Sequence, residues 1–348
     1  MRKTLKRLFT YLSVLWLIQG TNSAANSNCF LLVENERLTN HCLLETVNGK
    51  LVDRATMQIL VSKLQREGYF GGIPQTQLSG SIVPDAYYSN NMNGGNPKKP
   101  LIIGGMEFNT DKEFEAKAGW MIGMNSSVNL RKSYSVGRYI DANANLIYAK
   151  SLNDDLSTRS GAVSVCSKNL LTEKLYADFC ASNSTTTKEL THERNSYVLA
   201  SIAKLDAMHF NAPHEVSASI MHLKNNEYSQ NQLHINVDTI HNDSLASSFT
   251  LKKGEQVSDE LSMDHAISYN VTGLYGKRAY TVGFDYQYSD GGTILGQARS
   301  DVSTGIFVST KLDASTKITL GYFKRNSSID YYDEAYPTIR LTRSLWYK

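Results

Sequence analysis

Long hydrophobic runs are missing from this 348-residue chain. The one apolar stretch that stands out, Leu8 to Ile18, is about half the ~20 residues a spanning helix needs. Mean hydropathy is −0.34, and the hydrophobic residues are spread evenly, which excludes a polytopic helical membrane protein. Proline is scarce at six residues, so Pro-rich disordered classes are excluded, and 23 glycines are too few for collagen. An excess of charge is also missing. The net +3 is set by Arg2, Lys3, Lys6 and Arg7, and residues 1–25 hold no acid, so the remainder sums to −1. That balance offers nothing to a phosphate backbone, and no nucleic-acid partner is expected. GxSxG, HExxH and P-loop motifs are absent, and the four cysteines show no CxxC spacing. Neither a metal nor another cofactor is expected.

What the N-terminus does have is a basic start, an apolar run and then GTNSAANS. This layout predicts a secretory signal peptide over residues 1–25, cleaved after Ala25. Export allows disulfides, and Cys29, Cys42, Cys166 and Cys180 permit three pairings. Neighbour pairing, Cys29 with Cys42 and Cys166 with Cys180, is the simplest. A turn centred near Glu173 would place the second pair opposite each other on adjacent strands.

Beyond residue 75 the chain alternates with period two. In 278–288, Tyr280, Val282, Phe284, Tyr286 and Tyr288 share one face, and Asp285 and Gln287 share the other. Leu233, Ile235 and Val237 oppose Gln232, His234, Asn236 and Asp238. Ile140, Ala142, Ala144 and Leu146 oppose Asp141, Asn143 and Asn145. These are half-buried strands. Less regular alternation over 76–89, 114–127, 160–171, 175–182, 193–208, 214–223, 244–252, 263–275, 301–312, 315–324 and 337–347 brings the expected number to about fourteen.

Tight turns at Asn242-Asp243, Gly276-Lys277 and Asp313-Ala314 alternate with longer polar loops at 224–231, 253–262, 289–299 and 325–336. Short turns on one side and long loops on the other are the pattern of an outer-membrane β-barrel. If the last strand ends in the periplasm, every short turn falls there too. The expected fold is therefore all-β, an antiparallel transmembrane barrel of about 14 strands over 75–348, in the outer membrane of a Gram-negative bacterium. The 20 tyrosines suit aromatic girdles at the two interfaces. The polar faces named above become lumen lining: Asp141, Asn143, Asn145, Gln232, His234, Asn236, Asp238, Asp285 and Gln287. Asp264 and His265, as neighbours on a strand, are expected on opposite sides of it.

Residues 26–74 differ. Met57, Ile59, Leu60, Val61 and Leu64 form a helical stripe within 53–67. With Asp53 as N-cap and Gly68 as stop, one helix is expected, either in a short periplasmic segment or as a plug against the barrel.

The stretch 79–118 carries Pro84, Asp85, Ser89, Asn90, Asn91 and Asn93, then Ile102, Ile103, Gly104, Gly105, Met106, Glu107 and Phe108. It resembles the start of the barrel domain in surface lipoprotein assembly modifier proteins, and the last 24 residues resemble the end of that domain. The resemblance covers roughly 76–348 and lacks the family's usual tetratricopeptide repeats. It implies a fourteen-stranded barrel that assists export of a lipoprotein or secreted partner to the cell surface. Outer-membrane lipids and the outer-membrane assembly machinery are the other expected partners. The expected activity is transport across the outer membrane, with protein export placed ahead of a porin-like channel or solute transporter, and an outer-membrane protease or phospholipase last.

Overall fold

A computed structural model of the chain describes residues 35–48, 54–66, 76–172, 174–206, 212–242, 244–276, 278–312, 316–343 and 345–347. The expected signal peptide, Cys29, Asp53 and Gly68, and with them the expected Cys29–Cys42 pairing, lie outside these residues. So do several of the residues at the tight turns.

Two helices come first, α1 (Glu36–Asn48) and α2 (Arg54–Arg66). Strand β1 (Thr76–Ser89) follows, then a small hairpin of β2 (Leu101–Ile103) and β3 (Met106–Phe108). The remaining strands are β4 (Gly119–Ser135), β5 (Arg138–Ser151), β6 (Ser157–Thr172), β7 (Leu175–Thr187), β8 (His192–Asp206), β9 (His214–Lys224) and β10 (Ser229–Asn242). After them come β11 (Leu245–Gly254), β12 (Ser262–Tyr275), β13 (Arg278–Ile294), β14 (Gln297–Lys311), β15 (Thr316–Ser327), β16 (Glu334–Arg343) and β17 (Leu345–Tyr347). From β4 to β16 each strand pairs antiparallel with the next. β1 pairs with β4 on one side and with β16 and β17, in one continuous register, on the other. β16 and β17 therefore form one stave, and the sheet closes as a 14-stranded barrel with no free edge.

The alternation seen in the sequence sets the two faces. Ile122, Met124, Val128 and Leu130 of β4, Leu146 of β5, Val163 and Val165 of β6, Ile202 of β8 and Ile220 of β9 all stand exposed on the outside. A continuous apolar outer band of this kind is a lipid surface, not a water surface. Tyr88 packs edge-on against Trp120 at 5.9 Å near one rim, and Tyr134 and Tyr275 stand near the other. At 10 to 17 residues, the staves are long enough for the ~9–11 residues needed to cross.

Cys166 lies directly opposite Cys180 across β6 and β7, and the two are joined by a disulfide. The β13–β14 connection departs from the expected loop at 289–299. There the ladder continues to Ile294 and Gln297 and closes on Leu295-Gly296, with φ of 49° and 83°. A two-residue turn with both φ positive matches strand twist, and polar composition alone does not distinguish it from a loop. The strand expected from 114 begins at Gly119, after a single 3-10 turn at Lys112–Phe114.

Candidate functional site

The first turn of α1 sits inside the barrel at the short-turn end. Asn35 caps it, its Oδ1 accepting the N–H groups of Arg37 and Leu38, each at 3.1 Å. The Asn35 Nδ2 donates to Asp238 Oδ2 at 2.6 Å, tying the cap to β10. The next two residues carry opposite charges and meet opposite walls.

Glu36 is paired with Arg131 of β4 through both carboxylate oxygens, one of them at 3.0 Å. Lys168 of β6 approaches to 3.5 Å, and the Tyr139 hydroxyl donates at 3.3 Å. Arg131 also grips Asp141 of β5 at 2.7 and 2.8 Å and stacks over the Tyr139 ring at 4.2 Å. Arg37 is paired with Asp178 of β7, lies 3.6 Å from Glu215 of β9, and stacks on Tyr176 at 4.8 Å. Basic wall thus meets the acid of α1, and acidic wall meets its base.

Apolar packing completes the seat. Leu38, Leu43 and Val47 of α1, with Leu60 and Leu64 of α2, pack against inward-facing Tyr139, Tyr176, Ala203, Leu205, Ile240 and Ala246. Each fully buried leucine stabilises this contact by roughly 1.5–3 kcal/mol. α2 falls where the sequence stripe placed it. α1 was missed, although Asn35 as cap and the stripe Leu38, Cys42, Leu43, Val47 were available.

Burial by itself would raise the Glu36 carboxyl, but the hydrogen bond and charge of Arg131, and the charge of Lys168, hold it below the ordinary 4.5. A carboxyl whose pKa is depressed by docking adds stability above its undocked value and loses it as pH falls through the docked one. Acidification below about 4.5 is therefore expected to weaken the Glu36 side of the seat of α1. Hydrogen exchange of the α1 amides, measured as pH is lowered, checks this. Unchanged protection down to about pH 3 would sink it.

The sequence-predicted lining residues all face inward. Asp141 and Asp238 join the seat directly. Asn236 supports Asp238 at 2.7 Å and accepts from Thr250 at 2.6 Å. Gln232 and His234 continue up β10, linked at 3.0 Å. Asn143 and Asn145 rise along β5 above Asp141, and Asp285 and Gln287 lie on β13 across the lumen. Asp264 and His265 do not point to opposite sides as expected. A bulge between Met263 and His265 brings Asp264 Oδ2 within 2.7 Å of His265 Nδ1, beside Lys253 and next to Tyr286 and Tyr288. A bulge is invisible to a period-two count. Among the described residues, no group of three or more His, Cys, Asp and Glu is placed to hold a metal.

The motif residues at the other end build a folded loop. Asn93 is fully buried. Its Nδ2 donates to Glu115 O at 2.8 Å, and its Oδ1 accepts from Lys117 N at 2.9 Å and Gly95 N at 3.3 Å. Asn91 exchanges hydrogen bonds with Gly95, and Asn90 donates to Glu334 at 2.9 Å. Ser89 Oγ accepts from Asn91 N at 3.3 Å. Gly104 and Gly105, with φ of 60° and 78°, turn the β2–β3 hairpin, and Phe108 ends it exposed. Pro84 lies on β1 opposite Met124, and Asp85 is buried against Arg340 across the closing seam. The loop reaches Lys188 and Leu190 on one side, and Asp330, Tyr331 and Asp333 on the other. Asn93→Ala is expected to strand Lys117 N–H and Glu115 C=O, at about 1–3 kcal/mol for each unsatisfied group. Limited proteolysis within 90–118 should quicken at least several-fold. An unchanged cleavage rate would count against this anchor.

Closed antiparallel pairing, an apolar outer band, a polar inner wall and short turns opposite longer loops define an outer-membrane β-barrel of the Gram-negative type. No family model matches the chain, and no curated protein matches it. Solved structures similar to it include the outer membrane channel DcaP of Acinetobacter baumannii, with a TM-score of 0.45 and 9% identity over 80% of this chain and 100% of that one. The outer membrane protein OpdK of Pseudomonas aeruginosa gives 0.42 and 7% over 78% and 99%. OpdQ of the same organism gives 0.40 and 6% over 78% and 97%.

Proposed function

We propose that this protein is a porin-like outer-membrane channel whose periplasmic mouth is closed by α1 and α2. The observation that carries this reading is the double ion-pair seat, Glu36 on Arg131 and Arg37 on Asp178, formed inside the short-turn end. A barrel of fourteen staves falls between eight-stranded barrels filled by side chains and sixteen-stranded barrels with an open channel. A plug that occupies one mouth supplies the closure such a width requires. The mechanism is steric and electrostatic, with no covalent step. Solute passes along the polar wall once the helices leave their seat.

Planar-bilayer conductance of the refolded protein, with and without residues 26–74, tests the reading. Silence in the intact chain and steady conductance after truncation is the expected result. Silence in both would overturn it and return the export of a lipoprotein or secreted partner, implied by the family resemblance, to first place. Cross-linking of exported partners would then be the next measurement.

A further inference from the structure

Above the seat of α1, the wall carries charge as neutral couples and as two single groups of opposite sign, Asp285 on β13 and Lys252 on β11. Asp85 pairs with Arg340 across β1 and β16, Arg299 with Asp301 at 2.7 Å, and Arg325 with Glu334 at 3.1 Å. On β4 to β6 the inward positions include small hydroxyls and amides, among them Asn125, Asn129, Asn145 and Ser164. Such a wall offers many hydrogen bonds, and its paired and single charges sum to zero. An anionic solute gains little there that it did not have in water, and it meets the Asp285 carboxylate beside Gly305.

The neighbouring wall, beyond β1, differs. On β14 to β16 the inward face carries Phe307, Phe323 and Tyr336, all half-buried. Each phenylalanine faces glycine across the ladder, Phe323 opposite Gly305 and Phe307 opposite both Gly283 and Gly321. A Cβ on Gly283 would overlap the edge of the Phe307 ring, so this ring lies over the β13 backbone and does not stand up into the lumen. Tyr336 and Phe323 pack with centroids 5.1 Å apart. Phe307 lies one inward position deeper than the Phe323–Gly305 pair, about 7 Å at a strand's rise per residue. The result is a descending strip of aromatic surface beside the amides and hydroxyls of β4 to β6, with only β1 between them.

We infer that this strip is a binding track for uncharged saccharides. A pyranose has an apolar C–H face and a rim of hydroxyls. The face stacks on aromatic rings, and the rim finds donors and acceptors in Asn and Ser side chains without needing a charged partner. Glycine beneath Phe307 keeps the ring flat, which leaves room for a sugar to lie against it. The inference rests on the channel reading for its biological sense, but its test does not depend on conductance.

Isothermal titration of maltohexaose into the full chain, held in a polyoxyethylene detergent to avoid maltoside competition, reads binding directly. Binding in the millimolar range is expected, with hexagalacturonate at least tenfold weaker because it carries carboxylates. F307L/F323L keeps apolar volume but removes both ring faces, and it should weaken maltohexaose at least tenfold. Heat-modifiable gel mobility verifies that this variant still folds. Should it fail to fold, Gly283→Ala, which pushes the Phe307 ring off the wall, is the second variant and should weaken binding several-fold. No binding of maltohexaose, equal binding of the charged hexamer, or full binding by the leucine variant would each overturn the track. None of these outcomes bears on whether the truncated chain conducts, so failure of the track and failure of the channel reading are separable.

Discussion

Arg37→Glu is expected to open the barrel without truncating it. Arg37 is buried, and it is the α1 cation set against Asp178 and Glu215. Both acids are themselves buried, and Asp178 Oδ1 and Glu215 Oε2 have no hydrogen-bond partner among the described residues. Removing one partner from a buried ion pair costs about 3–5 kcal/mol, because the remaining charge is left uncompensated. Reversing it adds repulsion. At about 1.4 kcal/mol per decade, the docked population should fall at least a hundredfold. The apolar contacts of Leu38, Leu43 and Leu64 oppose release but sit on the same helices and leave with them. Steady conductance should appear in bilayers where the parent is silent. R37E/D178K restores one opposite pair and should return much of the silence. If the single variant stays closed, the ion pairs do not hold the plug.

Charge placed on the two faces of one strand should give opposite results. Leu146 and Asn145 are adjacent on β5, and Leu146 is 67% exposed on the outer band while Asn145 faces the lumen. Arginine on the lipid face of an outer-membrane barrel costs about 2–4 kcal/mol near the midplane and much less toward the interfaces. Leu146→Arg should lose that amount in reversible unfolding from lipid vesicles. Asn145→Arg, one residue away, should fall within about 0.5 kcal/mol of the parent, as water-facing substitutions do. Equal losses at both positions would mean that the faces are assigned wrongly.

The barrel was legible because a stave has only two faces, and lipid and water impose opposite demands on them. Leu233, Ile235 and Val237 against Gln232, His234 and Asn236 need no further information to be placed. Cys166 and Cys180 followed from the same count, since a turn near 173 puts 166 opposite 180. The plug was only half legible. The stripe of α2 was visible, but the seat joins Glu36 to residue 131 and Arg37 to residues 178 and 215, and no local pattern marks those distances. Asp141 and Asp238 were read as lining and prove to hold the helix, directly or through Arg131 and Asn35. The bulge at Asp264 and the two-residue turn at Leu295 depend on single backbone angles, which alternation does not report.

The seat of α1 also sets an order of assembly. Its residues come from β4, β5, β6, β7, β9 and β10, staves spread over more than a hundred positions of chain. None of these staves alone offers both the basic and the acidic side. The complete set of binding partners for α1 therefore exists only once half of the wall, β4 to β10, is paired, and a docked α1 marks a correctly registered barrel. A register slip of one residue anywhere between Arg131 and Asp238 would turn a charged seat residue toward lipid and leave the helix without its counter-ion.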